Sequence, residues 1–224
     1  MNDLVGTSDS DIAQRFGVEL ESRPLQLEFA RGRLQLRDTR EGAPGAIFVD
    51  ANSDDIKRRV RVGRDLPLLK AVLGKAGASK VIDATAGLGR DSFVLAYAGV
   101  EVVAIESNPV IAALLGNGVD RSRLENLTVV QGDSLELLSE VAAGAVVYLD
   151  PMFPARQKQA AVKKEMQYLQ QLEFPETNEQ ELIDAARSAE ASKIVIKRPA
   201  KSPAVADKPN HSIGGKTVRF DVYL

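Results

Sequence analysis

The sequence predicts an α/β fold with a mostly parallel, Rossmann-like sheet, and three observations support this prediction. The segment VIDATAGLGRD, from Val81 to Asp91, begins as an apolar strand, passes through a glycine-containing turn and becomes helical. The segment EVVAIE, from Glu101 to Glu106, predicts a second strand that ends in an acid. Further apolar strands are predicted at Leu127 to Val130, Ala145 to Leu149 and Lys193 to Lys197. Strands that alternate with helices in this way form βαβ units.

The N-terminal part of the chain has a different pattern. A short amphipathic helix is predicted from Ser8 to Phe16. Apolar residues alternate at period two in Leu25 to Phe29 and in Leu34 to Leu36, around Arg31-Gly32, which predicts a hairpin. Ala46 to Val49 predicts a third small strand. We therefore divide the chain into a small N-terminal α/β appendage, residues 1–55, and a Rossmann-like domain, residues 56–224. The appendage either recognises the substrate or covers an edge of the core.

The remaining elements follow from apolar spacing and from helix start signals. Asn108 and Pro109 mark one helix start, because proline is favoured in the first helical turn. The Gly214-Gly215 turn before the last strand indicates a hairpin return, so that strand is expected to be antiparallel. The predicted helices are Leu66 to Leu73, Arg90 to Ala98, Pro109 to Leu115, Leu135 to Val141 and Glu179 to Ala189, and the last strand is Thr217 to Leu224.

Composition excludes several kinds of chemistry. The chain has 224 residues, 44% of them hydrophobic, which is enough for a substantial core. It contains no cysteine, so disulfides, cysteine zinc sites, iron–sulfur clusters and a cysteine nucleophile are excluded. Its one histidine, His211, argues against histidine-rich metal sites and most catalytic triads. We expect no metal, and chemistry that uses carboxylates, lysines, hydroxyls, backbone groups or a cofactor.

Charge and hydropathy bear on partners and location. The formal net charge is −2, so any nucleic-acid binding must come from local basic patches. No apolar run approaches the roughly 18 residues of a membrane span, and the N-terminal residues lack the pattern of a secretory leader. We therefore expect a cytoplasmic protein without a membrane partner.

The glycine turn after the first central strand predicts a nucleotide-type ligand site. Gly87 permits an unusual backbone turn, and Gly89 allows backbone N–H groups at the helix N-terminus to approach a ligand. Glu106 lies close to the sequence distance at which a carboxylate contacts the ribose hydroxyls of a nucleotide cofactor. Asp83, at the end of the strand before the turn, is a further candidate for cofactor binding. Alternatively, the turn is only a tight connection between strand and helix, and Asp83 is only a polar strand end.

Two other strand ends reach the same edge of the predicted sheet. Asp133, after the third strand, either contacts the adenine side of a cofactor or caps the following helix, and the two roles are compatible. After the fourth strand, the Asp150 carboxylate and the Pro151 carbonyl could accept hydrogen bonds from an exocyclic amine, while the Phe153 ring stacks on its base. Alternatively, the segment is a proline-stiffened loop whose Phe153 packs in the core.

Two clusters of basic residues stand out on this slightly acidic chain. Each has no acid within it, which suits a phosphate backbone, although a solvated charged surface is the usual meaning of such a cluster. The first cluster is Lys57, Arg58, Arg59, Arg61 and Arg64, and the second is Arg156, Lys158, Lys163 and Lys164.

Several segments together resemble the RsmJ family over most of the chain. They are DATAGLGRD, Glu106 with the following Ser107-Asn108-Pro109, YLDPMFPARQK, VKKEM and VIKRP, together with LRDTREGAPGAIFVD and the C-terminal FDVY. RsmJ enzymes are class I methyltransferases that use S-adenosylmethionine to methylate the exocyclic N2 amine of a guanine in 16S ribosomal RNA. The resemblance implies that fold, that activity and cofactor, and small-subunit ribosomal RNA or an assembled 30S particle as partner.

The resemblance also implies which residues contact S-adenosylmethionine. They are Arg90 and Asp91, Glu106 and Ser107, Asp133 and Ser134, and Asp150. Ser107 stands where the family pattern has arginine, so it would contribute backbone contacts only. Asp133 stands where a small hydroxyl residue is familiar, and Met152 matches this family rather than the Asp/Asn-Pro-Pro-aromatic pattern of other amino-methyltransferases.

The mechanism expected from these residues is direct transfer of the methyl group to the amine, with Asp150 and the Pro151 carbonyl orienting the amine. The covalent route used for cytosine C5 is closed because the chain has no cysteine. Alternatives remain open at this stage. They are a NAD-dependent oxidoreductase with Glu106 on the ribose, a methyltransferase of another RNA, a protein or a small molecule, and a non-enzymatic RNA-binding protein.

Overall fold

The structure is a computed structural model that describes residues 24–151, 164–172, 178–205, 207–215 and 217–224. The predicted helix from Ser8 to Phe16 lies outside these residues, as does Phe153.

The described strands form one small and one large sheet. β1 and β2 pair in the small sheet, and the large sheet has the order β5-β4-β3-β6-β7-β9-β8. The first five of these strands are parallel, and β9 is antiparallel to both β7 and β8. The strands are β1 (Leu25–Ala30), β2 (Arg33–Asp38), β3 (Lys80–Asp83), β4 (Glu101–Glu106), β5 (Leu127–Gln131), β6 (Val146–Leu149), β7 (Lys193–Pro199), β8 (His211–Gly214) and β9 (Val218–Tyr223).

This order confirms the predicted Rossmann-like sheet. The chain starts in the middle of the sheet at β3, adds β4 and β5 on one side, and then crosses to add β6 and β7 on the other. The order therefore reverses between β3 and β6, and ligands bind at such a switch point, beyond the carboxyl ends of the strands. The prediction of an antiparallel last strand is also confirmed. The sequence reasoning missed β8, whose four residues, HSIG, carry a single large apolar side chain.

The helices begin where the sequence supplies capping groups. The Asn108 side chain accepts hydrogen bonds from the backbone N–H groups of Val110 and Ile111, and Asn178 caps its own helix through Gln180 N–H. The helices are α1 (Asp54–Val62), α2 (Pro67–Leu73), α3 (Arg90–Tyr97), α4 (Pro109–Ser122), α5 (Ser134–Val141), α6 (Lys164–Leu169) and α7 (Glu179–Ser188).

The core lies on both faces of the large sheet. Along β6, Tyr148 packs with the residues of α3 and α4 on one face, whereas Val147 and Leu149 pack with α5 and α7 on the other. All four residues of β6 are buried, which explains why this strand is a continuous apolar run in the sequence rather than an alternating one. No helix in the described part of the chain is long and apolar enough to span a membrane.

The predicted hairpin is confirmed, with Leu27 of β1 opposite Leu36 of β2. The predicted third strand at Ala46 to Val49 is wrong, because only Ile47 pairs with the hairpin, in an isolated bridge to Leu36. The chain leaves the ladder there because Val49 packs closely against Gly118 of α4.

The hairpin packs onto the large sheet through α4. Leu34 and Leu36 share one apolar core with α4, and the Leu34 N–H donates to Asn117 Oδ1 of that helix at 3.0 Å. The division of the chain at residues 55 and 56 stays a prediction, and the two parts it separates share buried side chains.

Candidate active site

The glycine turn between β3 and α3 forms an open cradle at the carboxyl edge of the sheet. Gly87 and Gly89 have φ values of +53° and +71°, which side-chain-bearing residues rarely adopt. No heavy atom lies within 4 Å of the position that a Cβ on Gly87 would take. Space is therefore open on the Cβ side of Gly87. Gly89, which the sequence predicted to leave room for a ligand, is buried, and its missing Cβ leaves room for Leu115 of α4.

Glu106, at the end of β4, faces this turn and is held in place by the backbone. Its Oε2 accepts a hydrogen bond from Gly87 N–H at 2.8 Å, and its Oε1 accepts one from Asn108 N–H at 2.8 Å. Burial raises the pKa of Glu106, and the backbone N–H groups oppose that rise. Ser107 adds a backbone and a side-chain hydrogen bond to the same carboxylate, so Glu106 is held in a fixed orientation beside the glycine turn.

Asp83, at the end of β3, is buried beneath the turn. Its Oδ2 accepts a hydrogen bond from Ser92 Oγ of α3 at 2.5 Å, and its exposed fraction is 1%. Burial raises the pKa of Asp83 to about 7. Asp83 thus joins β3 to α3 below the cradle.

Asp91, in the first turn of α3, is the centre of a buried charge cluster. One of its oxygens pairs with the Arg59 guanidinium of α1, and the other accepts from Tyr148 Oη and from Lys197 Nζ, the latter at 3.1 Å. Burial by itself would raise the pKa of Asp91, but Lys197 and Arg59 hold it below its usual value. The carboxylate therefore stays charged and joins α1, α3, β6 and β7.

Asp150 directly follows β6 and is tied to the glycine turn. Its backbone N–H donates to Thr85 Oγ1 at 2.6 Å, and its Oδ2 receives Lys197 Nζ at 2.6 Å. Burial raises the pKa of Asp150, and the nearby Lys197 opposes that rise. Pro151 is buried beside it. The structure thus brings together the two sequence signals, the glycine turn and the acid after the fourth strand.

The loop after β5 contributes two more of the predicted cofactor residues. Asp133 caps α5 by accepting from Leu135 N–H at 2.9 Å, which confirms the helix-cap interpretation. Ser134 is buried, and its Oγ donates to the Ala84 carbonyl oxygen at 2.5 Å, so this loop is joined to the end of β3. The Ser107 carbonyl oxygen accepts from Gln131 Nε2 at 3.2 Å. Cofactor contacts by these residues stay predictions.

The sequence suggested that the first basic cluster has no compensating acids. In the structure, two of its five residues pair with acids. Arg58 pairs with Asp55 at 2.5 Å, three residues earlier on α1, and Arg59 reaches inward to Asp91. The expectation of a cluster without compensating carboxylates is therefore wrong for these two residues. The remaining three side chains of the cluster, Lys57, Arg61 and Arg64, are exposed.

The second basic cluster is described at one position only. Lys164 Nζ donates to the Ala46 carbonyl oxygen at 2.9 Å, and its neighbour Glu165 pairs with Arg90 at 2.8 Å. Arg156, Lys158 and Lys163 lie outside the described residues.

The sequence reasoning missed three side chains that contact the acids of this candidate site: Lys197, Tyr148 and Thr85. Lys197 lies in the segment VIKRP at the carboxyl end of β7, and a lysine in an otherwise buried strand that ends at the ligand edge was an available signal. Within the described ranges, no cluster of three or more histidine, aspartate or glutamate residues could hold a metal ion.

Comparisons with known proteins identify relatives of this chain. Residues 11–224 match the family described as "Putative SAM-dependent methyltransferase". The chain is 39% identical to Ribosomal RNA small subunit methyltransferase J of Tolumonas auensis over 96% of its own length and 92% of the relative's. It is 41% identical to the protein of that name from Thioalkalivibrio sulfidiphilus, over 92% of this chain and 87% of the relative.

A solved structure has the same fold. The SAM-dependent methyltransferase NGO1261 from Neisseria gonorrhoeae superposes with a TM-score of 0.67 and 31% sequence identity, over 86% of this chain and 79% of that one.

Proposed function

The chain belongs to the family of ribosomal RNA small subunit methyltransferases J, and from that premise we propose that it methylates the N2 amine of a guanine in 16S ribosomal RNA, using S-adenosylmethionine. One observation supports the proposal above the others. The hydrogen bond from Asp150 N–H to Thr85 Oγ1 fixes the acid that would receive the amine beside the turn that would hold the cofactor.

The residues of the turn suit S-adenosylmethionine. The open backbone at Gly87 admits a ligand, and the oriented carboxylate of Glu106 suits ribose hydroxyls. Asp133 and Ser134 would border the adenine, since their loop follows the adjacent strand β5 at the same edge. When bound, the cofactor supplies a methyl group on a sulfonium, and the C–S electron pair stays on sulfur as the N2 lone pair forms the new N–C bond.

Asp150 would act on the amine. An anionic carboxylate accepts a hydrogen bond from N2–H, and the Pro151 carbonyl offers a second acceptor, so the two would direct the nitrogen lone pair at the methyl carbon. The nitrogen gains positive charge as the bond forms, and the surplus proton leaves N2 for the Asp150 carboxylate and then for water. Phe153, outside the described residues, is the proposed stacking partner of the base.

The RNA would lie across the exposed residues of α1 and of the turn that follows it. Lys57, Arg61 and Arg64 present cations to solvent, and Arg59, on the same helix, reaches the Asp91 cluster next to Asp150. Arg156, Lys158, Lys163 and Lys164 are proposed to extend this surface. The partner is small-subunit ribosomal RNA, free or in the 30S particle, and we accordingly place the protein in the cytoplasm.

The test is to incubate the protein with methyl-labelled S-adenosylmethionine and, separately, small-subunit particles that lack the modification, their deproteinised RNA, transfer RNA and bulk protein. We expect N2-methylguanosine from small-subunit material alone, and the comparison of particles with free RNA identifies the preferred form. Label in transfer RNA or protein only would contradict the proposal.

One variant tests the role proposed for Asp150. Asp150→Ala is expected to abolish turnover because the amine loses its acceptor. Arg187→Ala, on α7 away from the catalytic edge, serves as the control with unchanged turnover. Near-normal methylation by Asp150→Ala would refute the assignment of this residue.

A further inference from the structure

Lys197 is placed between two carboxylates at the catalytic edge. Its Nζ lies 2.6 Å from Asp150 Oδ2 and 3.1 Å from Asp91 Oδ2, and its side chain is 25% exposed. Lys197 lies in β7, next to β6, and β6 ends immediately before Asp150. The ammonium thus reaches across the edge of the sheet to the acid that the proposed reaction uses.

The two acids that Lys197 contacts differ in their other partners. Asp91 also receives Arg59 and Tyr148, so it has a second cation and a hydroxyl donor. Asp150 is paired with Lys197 through Oδ2, and its backbone N–H is occupied by Thr85. Removal of Lys197 therefore leaves Asp91 charge-compensated and takes from Asp150 the cation that lies closest to it.

The groups that face this ammonium come from every neighbouring element. Asp150 after β6 and Asp91 of α3 contact it directly, while Tyr148 of β6 and Arg59 of α1 contact Asp91. Asp83 of β3 lies nearby, and the charges of Asp91 and Asp150 raise its pKa. Two of the three acids, Asp83 and Asp150, have a raised pKa, burial being the largest cause for each. Asp150 would thus lose its anionic form more readily without the neighbouring cation.

We propose that Lys197 is a positioning residue that keeps Asp150 anionic and fixes its Oδ2, so that Oδ1 faces the amine to be methylated. This inference rests on the proposed function for the identity of the amine. A protonated Asp150 would present a donor where the amine needs an acceptor, so loss of the lysine charge would remove the reactive form at neutral pH. Orientation and charge of Asp150 are thus both assigned to one side chain of β7.

The direct test is a titration of Asp150 by carboxyl carbon NMR in the full-length protein. The protein carries ¹³C-labelled aspartate, and Asp150→Asn assigns the resonance. We expect the Asp150 midpoint to rise by roughly one pH unit in Lys197→Met and in Lys197→Gln, and to stay near the wild-type value in Lys197→Arg. Lys75→Met is the matched control. It removes an exposed lysine that precedes β3, far from the carboxyl end of that strand, and should leave the midpoint unchanged.

The kinetic consequence is a shift of the acidic limb of the pH profile of kcat/KM for ribosomal RNA. That limb should move to higher pH by the same amount in Lys197→Met and return in Lys197→Arg. Reduced turnover with an unshifted limb and an unshifted Asp150 midpoint would mean that Lys197 serves only the fold, and would overturn the inference. Affinity for S-adenosylhomocysteine, measured by calorimetry, shows that each variant is folded.

The two proposals can fail separately. The NMR titration needs no RNA, so a shifted Asp150 midpoint in an enzyme that does not methylate ribosomal RNA would refute the proposed substrate and support the Lys197–Asp150 coupling. If the enzyme methylates ribosomal RNA but the Asp150 midpoint is the same in the Lys197 variants and the wild type, the proposed substrate is supported and the Lys197–Asp150 coupling is refuted.

Discussion

Replacing Gly89 with alanine tests whether this position requires glycine for packing as well as for its backbone conformation. Gly89 precedes α3 with φ near +71°, and a Cβ built there would lie 2.3 Å from Leu115 Cδ1 of α4. Leu115 has no exposed surface, so its side chain has little room to move away. Two costs therefore combine, the strain of a left-handed backbone and the overpacking of a filled core.

The magnitude follows from a comparison with Gly87. The left-handed backbone costs roughly 1–2 kcal/mol at either glycine. Overpacking adds roughly 1–3 kcal/mol at Gly89. At Gly87 a Cβ would meet no atom within 4 Å. Gly89→Ala should therefore lower the free energy of unfolding by about 2–5 kcal/mol, and Gly87→Ala by about 1–2 kcal/mol.

Urea unfolding of both variants, followed by circular dichroism, measures this difference. A double-mutant cycle with Leu115→Ala sharpens it, because a shortened Leu115 should bring the Gly89→Ala penalty down to the Gly87→Ala value. Equal losses at the two glycines, or no coupling between Gly89 and Leu115, would refute the packing argument.

Three other predictions follow from buried and exposed polar groups. The pKa of Asp83 is about 7 in the folded protein and near 3.9 when unfolded, so Asp83 makes the free energy of unfolding fall as pH rises from about 4 to 7. Asp83→Asn should remove this contribution, so stability measured by urea titration should fall less with rising pH in the variant than in the wild type. Asn117→Ala leaves the buried Leu34 N–H without its acceptor and should lower stability by about 1–3 kcal/mol, whereas Asn52→Ala, at an exposed position, should cost far less. The double variant Lys57→Ala, Arg61→Ala should reduce the slope of log affinity for RNA against log salt by roughly 0.7–0.9 per lost phosphate contact. The control Lys75→Ala should leave the slope unchanged. Equal slopes in the double variant and the wild type would contradict an RNA surface on α1.

The elements of the large sheet could be predicted because their signals are local. Buried parallel strands are continuous apolar runs, and Asn108-Pro109 marks a helix start within two residues. The third N-terminal strand was predicted wrongly because alternation does not reveal that Val49 packs on Gly118, 69 positions along the chain.

The site was predictable in its parts and not in its connections. Glu106 ends a strand, and Gly87 and Asp150 follow strands, so the common edge of a parallel sheet places them together. The pairing of Arg59 with Asp91 joins residues 32 positions apart, and that of Lys197 with Asp91 joins residues 106 apart. A basic run indicates charge without saying which side chains turn inward, so Arg59 was assigned to the RNA surface.

The fixed carboxylate of Glu106 has a consequence for how fast and how tightly a ligand binds. Because two backbone N–H groups already hold both of its oxygens, a ribose bound as proposed would meet an acceptor that needs no reorientation, and little side-chain entropy would be lost on association. Ligand capture at this residue should follow a single kinetic phase whose rate rises linearly with ligand concentration. Glu106 would then act as a preorganised acceptor, held by the backbone before any ligand arrives.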